Sequence, residues 1–599
     1  MTSFIVGIKI DIMSLNTFIG LLILLIALPF KFTTSKYYKA TIGYLWFLII
    51  AIIIFINISD LLYFGFFYKH IDSTLIALNN DIDPIIGFVK SYIVYIIFLF
   101  LALFVLFKLW SKIVHEEIKS HSYVAMSVIF VTVLLFVAFG ARGCKVSGKP
   151  FNISDAYVTD KISGANLSIS GFYSAYRNSY NMSNKNQVID FYPKDEAVET
   201  VQKVLNSDNI TFNNSGYTFQ REINSTTTKK YNVAVILLES FSSKFVDSFN
   251  GNIGLKATPF LDSLAADGIK LSNAYANGRQ SIDGIGAVVA GIVAPANNNL
   301  YFGKGLEASK FSYLGSIFKS NGYETIAMQS SKRNSFRVDS IMRLSGFDRY
   351  YGAEDFKTHQ HGEDKDKMPH YGTWDGDMFN RYFKELDSIK KPFLSFTFTS
   401  TTHFPYYLPS KKYEIYPHDN KTINGYFNTM RYTDDMIKDF ITKAKKTEWF
   451  KDTIFVFVAD HTAPITKKEI EVFENETNIK IPQRDLEHFK IPLIIYAPHI
   501  FKPQVIDTVV SQADIIPSLV DIMGFKNSFS TISNSVFNKD TDSFVFAKEG
   551  DIYTYITKDG YTTRRTDKKF DVKNIDYSKE ILSIHQIFVD SLNKNNFFK

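Results

Sequence analysis

The chain has 599 residues, more than one hydrophobic core supports, so its length predicts several domains. The formal charge of +6 is small for this length and the basic residues form no stripe, which excludes a nucleic-acid-binding function. Cys144 is the only cysteine. The sequence therefore holds no intrachain disulfide and no cysteine-based zinc motif, and nothing around Cys144 resembles a lipidation signal.

Four apolar runs precede residue 145, and each approaches or exceeds the ~20 residues needed to span the hydrocarbon core of a bilayer. They have almost no polar face, so they do not fit the surface helices of a water-soluble domain. A cleaved signal peptide is not expected, because one run follows another. The sequence predicts a transmembrane helical anchor over residues 1–142, with spans at Ile12–Phe30, Ala40–Ile58, Pro84–Leu109 and Tyr123–Ala141.

Loop charge predicts how this anchor is oriented. The connections at 31–39 and 108–119 each carry three lysines, whereas the connection at 59–83 carries one lysine and four aspartates. Because basic loops stay in the cytoplasm, the N-terminus and everything after the fourth span are expected outside it, in a protein of the inner (cytoplasmic) membrane. Phe4–Ile10 is a short apolar stretch before the first span, and it leaves open whether an upstream fifth helix is missing from this chain.

The composition and residue pattern of the sequence change twice after the anchor. Residues 143–230 are rich in Ser, Asn, Thr and Tyr and are interpreted as a linker with short helices. From residue 231, continuous apolar runs alternate with amphipathic stretches, which indicates an α/β domain with a mostly parallel central sheet. We assign 231–530 to this domain and 531–599 to a C-terminal subdomain that completes it. Functional groups of such sheets collect at the carboxyl ends of the strands.

Three predicted strands end in residues that bind metals. VAVILLE ends at Glu239, TIFVFVAD ends at Asp460 and is followed by His461, and LSFTFTSTTH ends at His403. A carboxylate directly after five or more apolar residues lies at the top of a buried strand, where its charge needs a partner. A divalent cation is such a partner, and this set of oxygen and nitrogen ligands suits zinc or manganese.

The order of the motifs ILLESF, ANGRQSIDG, GFDRYYG–YGTWDGDMF, STTHFPY, VADHT and SQADIIPSLVDIMG resembles the lipoteichoic acid synthase family. That family is the phosphoglycerol-transferase branch of the sulfatase/alkaline-phosphatase superfamily. The resemblance covers roughly residues 231–530, and the helical anchor fits it as well. It implies several membrane helices, a linker and a catalytic domain outside the cytoplasm.

The resemblance implies roles for particular residues. It implies a metal site at Glu239, Ser281, Asp460 and His461, with Ser281 as the nucleophile in the stretch Gly278–Gly284, where the family usually has Thr. One divalent ion is expected, manganese first, with magnesium and zinc as alternatives. Ser281 is alternatively a helix N-cap, which is compatible with phosphate binding at a helix N-terminus. Ser272 is the second candidate nucleophile.

Further residues are expected at the substrate. His403 resembles the substrate-side histidine of the family, as a phosphate ligand or a proton donor, although it also fits a turn before Phe404. The substrate-binding set is Arg279, Arg337, Trp374, Asp375 and His403, with Trp374 and Asp375 alternatively a surface cap on the next helix.

The sequence also departs from the family pattern. Gln329, Ser330 and Ser331 stand where the Gram-positive enzymes have His-Gly-Asp, and Phe336-Arg337-Val338 stands near their Trp-x-Arg. Thr462 stands where glycine is common. These differences leave the identity of the transferred group open.

The function expected from these features is metal-dependent transfer of a phosphoglycerol-type group from a phospholipid to a cell-envelope glycan or lipid. The group passes through a covalent intermediate on Ser281. Phosphoethanolamine transfer, phosphodiester hydrolysis and a non-catalytic scaffold or sensor are the alternatives. Sulfatase activity is disfavoured because Ser281 lacks the C/S-x-P-x-R context, and the single cysteine argues against a disulfide-rich phosphoethanolamine transferase.

Overall fold

A computed structural model shows two compact units, Met1–Lys185 and Asn186–Lys599. Each unit is described separately below. The structure describes residues 2–67, 82–116, 122–146, 167–182, 190–212, 216–224, 229–295, 310–333, 335, 338–356, 372–538, 543–549, 552–566 and 571–599.

The first unit is helical in its described residues. Four of its helices are long and apolar enough to cross a membrane, as the sequence predicted. Their lipid-compatible surface is apolar, with large side chains such as Phe98 and Phe136 about two-thirds exposed. The helices are α1 (Thr2–Ala27), α2 (Lys36–Phe67), α3 (Ile82–Val114) and α4 (Tyr123–Ala141), followed by the shorter α5 (Gly171–Met182).

The first helix corrects one boundary of the sequence analysis. The apolar stretch Phe4–Ile10 is not separate from the first span but lies within α1. Within this helix, Asp11 is a hydrogen-bond partner of Ser170.

The second unit is built on an eight-stranded sheet in the order β10-β4-β9-β8-β3-β7-β5-β6. Neighbouring strands are parallel except that β9 runs antiparallel to both β4 and β8. The central strands are almost completely buried because helices cover both faces, which explains their uninterrupted apolar sequences. The strands are β3 (Asn232–Leu238), β4 (Ile269–Tyr275), β5 (Glu324–Gln329), β6 (Arg349–Tyr351), β7 (Phe393–Phe398), β8 (Thr453–Ala459), β9 (Leu493–Tyr496) and β10 (Gln504–Ser511).

The helices of this unit begin and end at residues with clear local causes. Pro259 opens α8, where its fixed φ suits the first helical position. Gly291 ends α9 with a φ of 61°, a left-handed conformation that favours glycine. The helices are α6 (Lys194–Leu205), α7 (Asp247–Asn250), α8 (Pro259–Asp267), α9 (Ser281–Ala290), α10 (Leu314–Ser320), α11 (Val338–Leu344), α12 (Asp375–Ser388), α13 (Ile423–Ala444), α14 (Lys467–Thr477), α15 (Ile515–Met523) and α16 (Ser578–Lys594).

Two smaller sheets flank the large one. A three-stranded sheet joins β1 (Ile210–Phe212) and β2 (Gln220–Ile223) to β11 (Phe529–Ser530). A four-stranded antiparallel sheet contains β12 (Phe544–Glu549), β13 (Ile552–Thr557), β14 (Tyr561–Arg565) and β15 (Asp571–Lys573). Part of the segment interpreted as a linker, from residue 186 onward, therefore folds with the second unit.

The predicted fold class is confirmed: apolar N-terminal helices precede a domain with a mostly parallel central sheet. The three runs named above as strands form β3, β7 and β8. The sequence analysis did not identify β6, which has only three residues, or the edge strand β10. Most side chains in the first half of β10 are exposed, so it lacks the apolar run by which the other strands were recognised.

Arg221 fixes the small sheet to the rest of the second unit. Its guanidinium is fully buried and donates to the Phe219 carbonyl at 3.0 Å, to the Thr531 carbonyl at 3.0 Å and to the Thr531 hydroxyl at 2.9 Å. It also donates to the Ser533 carbonyl. Burial lowers the pKa of Arg221 to about 9, while the charge of Asp514 opposes that shift.

Replacing this arginine should destabilise the second unit strongly. Arg221→Met leaves buried carbonyl groups and the Asp514 charge without their partner, so we expect a loss of about 3–5 kcal/mol in the free energy of unfolding. Urea unfolding of the purified full chain in detergent measures it. Arg431→Met is the control, since the partly exposed Arg431 makes a 3.4 Å hydrogen bond to a carbonyl. Equal unfolding midpoints for the two variants would contradict this role.

Candidate metal and nucleophile site

The site lies where two central strands end side by side. β3 and β8 are parallel neighbours whose last paired residues are Leu238 and Ala459. Glu239 and Asp460 are therefore the next residues along both strands, at the carboxyl edge where such sheets carry their functional groups. Both side chains are buried, at 3% and 0% exposure.

The structure brings four predicted residues together here. The ligand atoms of Glu239, Asp460 and His461 all lie within 4.8 Å of one another. His461 Nε2 is 3.4 Å from Asp460 Oδ2 and 3.9 Å from Glu239 Oε1. Ser281 Oγ is 3.3 Å from both Glu239 Oε2 and His461 Nε2. A hydroxyl, two carboxylates and an imidazole thus converge from distant parts of the chain.

The serine is the first residue of α9, and Gln280 occupies the N-cap position. Ser281 therefore does not cap the helix, and its hydroxyl instead contacts Glu239 and His461. Tight packing fixes this helix against the strand end: a Cβ atom on Gly284 would lie 2.3 Å from the Asp460 carbonyl oxygen. Glycine is needed there for the helix to come so close.

Ser240 supports both carboxylates, and the sequence analysis did not identify it. Its backbone N–H donates to Asp460 Oδ1 at 2.7 Å and its hydroxyl donates to Glu239 Oε1 at 2.7 Å. Its φ of 58° is unusual for a residue other than glycine, and the buried Tyr426 hydroxyl holds the Ser240 carbonyl at 2.7 Å. Such strain persists where the surroundings enforce it, commonly at functional sites. A serine directly after the strand-end glutamate was the only sequence signal.

The electrostatics of the site call for a cation. Burial, and then the charge of Glu239, raise the pKa of Asp460 to about 8. For His461, burial acts to lower the pKa, but the nearby Asp460 and Glu239 outweigh it and raise the pKa. Among the described residues, Asp460 Oδ2 is buried without a hydrogen-bond partner. Two buried carboxylates, one with an unused oxygen, and a histidine form a donor set that fits a divalent metal ion.

His403 follows a turn that is bonded to the backbone of Glu239. The Thr399 hydroxyl accepts from the Glu239 N–H at 2.9 Å, and the Thr402 hydroxyl donates to the Glu239 carbonyl at 2.5 Å. His403 Nδ1 lies 2.7 Å from the Phe404 carbonyl oxygen. The next residue after this bonded turn is thus the predicted substrate-side histidine, at the same edge of the sheet.

Asp375 has a supporting position rather than an open one. Its carboxylate is fully buried and accepts hydrogen bonds from the Ser330 and Thr433 hydroxyls and from the Ser400 and Thr401 N–H groups. Trp374 is also buried, at 3% exposure, and precedes α12 as its N-cap. The alternative of a surface cap is therefore wrong, because neither side chain reaches the surface.

Arg279 borders the site without belonging to the metal cluster. Arg279 donates to the Thr462 hydroxyl at 2.6 Å and to the His488 carbonyl, and its Nε lies 3.4 Å from Glu549 Oε1. It thereby links the loop before Ser281 to the loop after His461. The threonine that replaces the common glycine is one end of this link. Arg337 lies outside the described residues.

Ser272 is not part of this group. It lies in β4, where its hydroxyl donates to Asp507 at 2.5 Å and to the Ile506 carbonyl at 3.3 Å. Of the two candidate serines, Ser281 is the one that lies beside Glu239 and His461.

The fold and the site define a domain of the alkaline-phosphatase/sulfatase type. A family model described as Sulfatase matches residues 231–525. Two solved structures share the fold: an alkaline phosphatase superfamily protein from Vibrio parahaemolyticus (TM-score 0.57, 22% identity) and the lipoteichoic acid synthase LtaP from Listeria monocytogenes (TM-score 0.53, 17% identity). The matches cover 68% and 67% of this chain and 98% of each of the two solved chains.

Two curated relatives indicate which branch of the sulfatase superfamily the chain resembles. Lipoteichoic acid synthase-like YvgJ of Bacillus subtilis (strain 168) is 24% identical over 347 residues, 56% of this chain and 54% of the relative. Phosphoglycerol transferase I of Salmonella typhi is 28% identical over 248 residues, 39% of this chain and 31% of the relative. The match thus spans about half the length of the Bacillus relative and about a third of the length of the Salmonella relative. The chain thus carries a sulfatase-type domain and is similar to lipoteichoic acid synthases and phosphoglycerol transferases.

Metal binding should depend on pH in a defined direction. The raised pKa of Asp460 means that the metal-free fold favours its protonated form, so its contribution to stability is lost as pH rises toward about 8. A metal ion binds the deprotonated ligands and competes with that proton. Manganese should therefore raise the Tm of the full chain by several degrees more at pH 8 than at pH 6.

The variant Asp460→Asn should lose this manganese-dependent shift. Asp507→Asn, at the remote carboxylate bonded to Ser272, should keep it. Differential scanning fluorimetry with and without manganese measures both. A shift of equal size at the two pH values, or one that survives in Asp460→Asn, would show that the metal does not bind at this site.

Proposed function

We propose that this protein is a membrane-anchored phosphotransferase that moves a phosphoglycerol-type group from a phospholipid to a cell-envelope acceptor, through a covalent intermediate on Ser281. The observation that carries the proposal is the approach of the Ser281 hydroxyl to within 3.3 Å of both Glu239 and His461. The similarity to lipoteichoic acid synthases and phosphoglycerol transferase I supports the same class of reaction.

Glu239, Ser281, Asp460 and His461 would hold one divalent cation, for which manganese is the expected choice and magnesium and zinc are alternatives. When bound, such a cation supplies positive charge that stabilises the phosphoryl oxygens and favours ionisation of the serine. The unused Asp460 oxygen supports this assignment.

The residues of the chain account for the first half of the reaction. Ser281 Oγ forms a bond to phosphorus while the bond from phosphorus to the diacylglycerol oxygen breaks. The serine proton passes to Glu239, which already accepts its hydrogen bond. His403 then donates a proton to the leaving diacylglycerol oxygen. In the second half, an acceptor hydroxyl attacks the phosphorus and gives its proton to His403, while the bond to Ser281 Oγ breaks and Glu239 returns the serine proton.

The membrane anchor supports a lipid donor and an envelope acceptor. Four helices have the length and composition of membrane spans, so the chain is suited to meet its donor in the bilayer. The loop charges favour a catalytic domain outside the cytoplasm, attached to the cytoplasmic membrane. The acceptor would then be a glycan or lipid of the envelope.

A mass measurement tests the proposal. The purified full chain, incubated with manganese and either phosphatidylglycerol or phosphatidylethanolamine, should gain one phosphoglycerol or one phosphoethanolamine group, and peptide mapping should locate it on Ser281. Ser281→Ala should carry no adduct and lose at least about 10³-fold in transfer rate. Ser272→Ala is the matched control and should behave as wild type. A wild-type chain with no adduct on either lipid, with each of the three metals, would refute the transferase proposal.

His403 should affect the rate of adduct formation. Without its proton the diacylglycerol oxygen leaves more slowly, so His403→Gln should slow adduct formation by about 10²-fold, measured by quenched-flow mass spectrometry. His499→Gln provides the control, because that ring packs edge-on against Phe450. An unchanged rate in His403→Gln would assign the histidine to the turn alone.

A further inference from the structure

The loop that carries Ser281 runs from the end of β4 to the start of α9, and strand β12 lies against it. β12 belongs to the four-stranded sheet, beyond residue 525, where the match to the Sulfatase family model ends. Its residues from Phe544 to Lys548 are all buried. A lysine in such a strand needs an anionic partner, because burying an ammonium group alone is too costly.

Lys548 contacts the serine loop at two points. Its backbone N–H donates to the Asn277 carbonyl at 3.0 Å, near the start of the loop. Its side-chain nitrogen lies 3.3 Å from Asp283 Oδ1, in the first turn of α9, and the two side chains are only 10% and 8% exposed. One residue of β12 therefore holds both ends of the segment in which Ser281 stands.

The start of this segment is fixed at Asn277. Its side-chain amide donates to the Phe546 carbonyl at 2.9 Å, and its Oδ1 accepts from the Ala513 N–H at 3.0 Å. The Asn277 N–H donates to Gln512 Oε1 at 2.8 Å, and the amide of the same glutamine donates to the Asp460 carbonyl at 2.6 Å. The start of the loop is thus bonded both to β12 and to the backbone of a candidate metal ligand.

The other end of the segment depends on the Asp283 side chain. It packs directly on Gly278, where an added Cβ atom would lie 2.3 Å from Asp283 Cβ. Gln280 is the exposed N-cap of α9, and within the described part of the chain its side chain makes no capping hydrogen bond. A carboxylate in the first turn suits the positive end of the helix dipole. Its ion pair with Lys548 therefore takes the place of a side-chain cap in holding this turn.

We propose that Lys548 is a positioning residue for the nucleophile: through Asp283 it fixes the first turn of α9 and with it the Ser281 hydroxyl. Its effect on the reaction rate rests on the proposed function, whereas its hold on the loop does not. A misplacement of about 1 Å at a reacting atom can cost about 10²-fold in rate. Because both side chains of the pair are nearly enclosed, its loss acts on the serine and not on lipid binding.

The rate of adduct formation by the full chain in detergent tests the proposal. With manganese and phosphatidylglycerol, Lys548→Met should lower the maximal rate of Ser281 adduct formation about 10²-fold. The lipid concentration that gives half of that rate should stay within about twofold of wild type. Lys548→Arg keeps the charge and should retain at least about a tenth of the wild-type rate. An unchanged maximal rate in Lys548→Met, slowing that more lipid abolishes, or equal slowing by both variants would overturn the proposal.

Two further variants separate positioning from stability. Lys548→Met leaves the Asp283 carboxylate buried without its cation, which also lowers the Tm. Asp283→Asn breaks the pair without leaving a buried carboxylate, and it should slow adduct formation by a similar factor. When both substitutions are combined, neither charge remains, so the Tm should recover while the rate stays low. A wild-type rate in Asp283→Asn, or recovery of the rate together with the Tm, would show that the pair only stabilises the fold.

Hydrogen exchange tests the hold on the loop without lipid or metal. In the full chain with a chelator, amides of the segment 277–284 should exchange at least about tenfold faster in Lys548→Met and in Asp283→Asn than in wild type. Lys319→Met is the control, because it breaks a more exposed ion pair, with Asp348, and should exchange like wild type in that segment. Wild-type exchange in both pair variants would overturn the proposal. If wild type forms no adduct, the proposed function fails while this exchange result still decides the role of Lys548.

Discussion

Two carboxylates at the ends of adjacent buried strands impose the main constraint on the second unit. The register of β3 with β8 places Glu239 and Asp460 beside each other, and burial makes their shared negative charge unfavourable. Ser240 compensates part of it through two 2.7 Å hydrogen bonds, and His461 adds an imidazole. Without a metal ion, protonation of Asp460 relieves the remaining negative charge. A divalent cation would relieve it in place of that proton.

Several packing features follow from that constraint. The left-handed φ of Ser240 directs its N–H at one carboxylate and its hydroxyl at the other, at a conformational cost that the buried Tyr426 helps to sustain. The Gln512 side-chain amide donates to the carbonyls of Ala459 and Asp460, each at 2.6 Å, and so fixes the end of β8. Gly284 lets α9 approach that strand end. The serine hydroxyl is therefore positioned by rigid elements, which suits a nucleophile.

Much of this organisation could be predicted from the sequence, and the rest has identifiable physical reasons. Continuous apolar runs predicted the central strands because both faces of the sheet are covered, and strand-end polar residues predicted which side chains would meet. Edge strand β10 was not predicted because its exposed polar residues interrupt the apolar run. The support by Ser240 depends on a backbone angle, and the burial of Asp375 depends on four partners from three separate segments. Neither of these two features leaves a local pattern in the sequence.

One arginine joins the two loops that carry the serine and the histidine of the site. Arg279 donates to the Thr462 hydroxyl at 2.6 Å, which ties the loop before Ser281 to the loop after His461. Its Nε lies 3.4 Å from Glu549 Oε1, so a carboxylate outside the metal cluster balances the charge of the guanidinium. The guanidinium also acts to lower the pKa of His461, against the larger opposing effects of Asp460 and Glu239. The acidic cluster therefore keeps its preference for a cation although an arginine borders it.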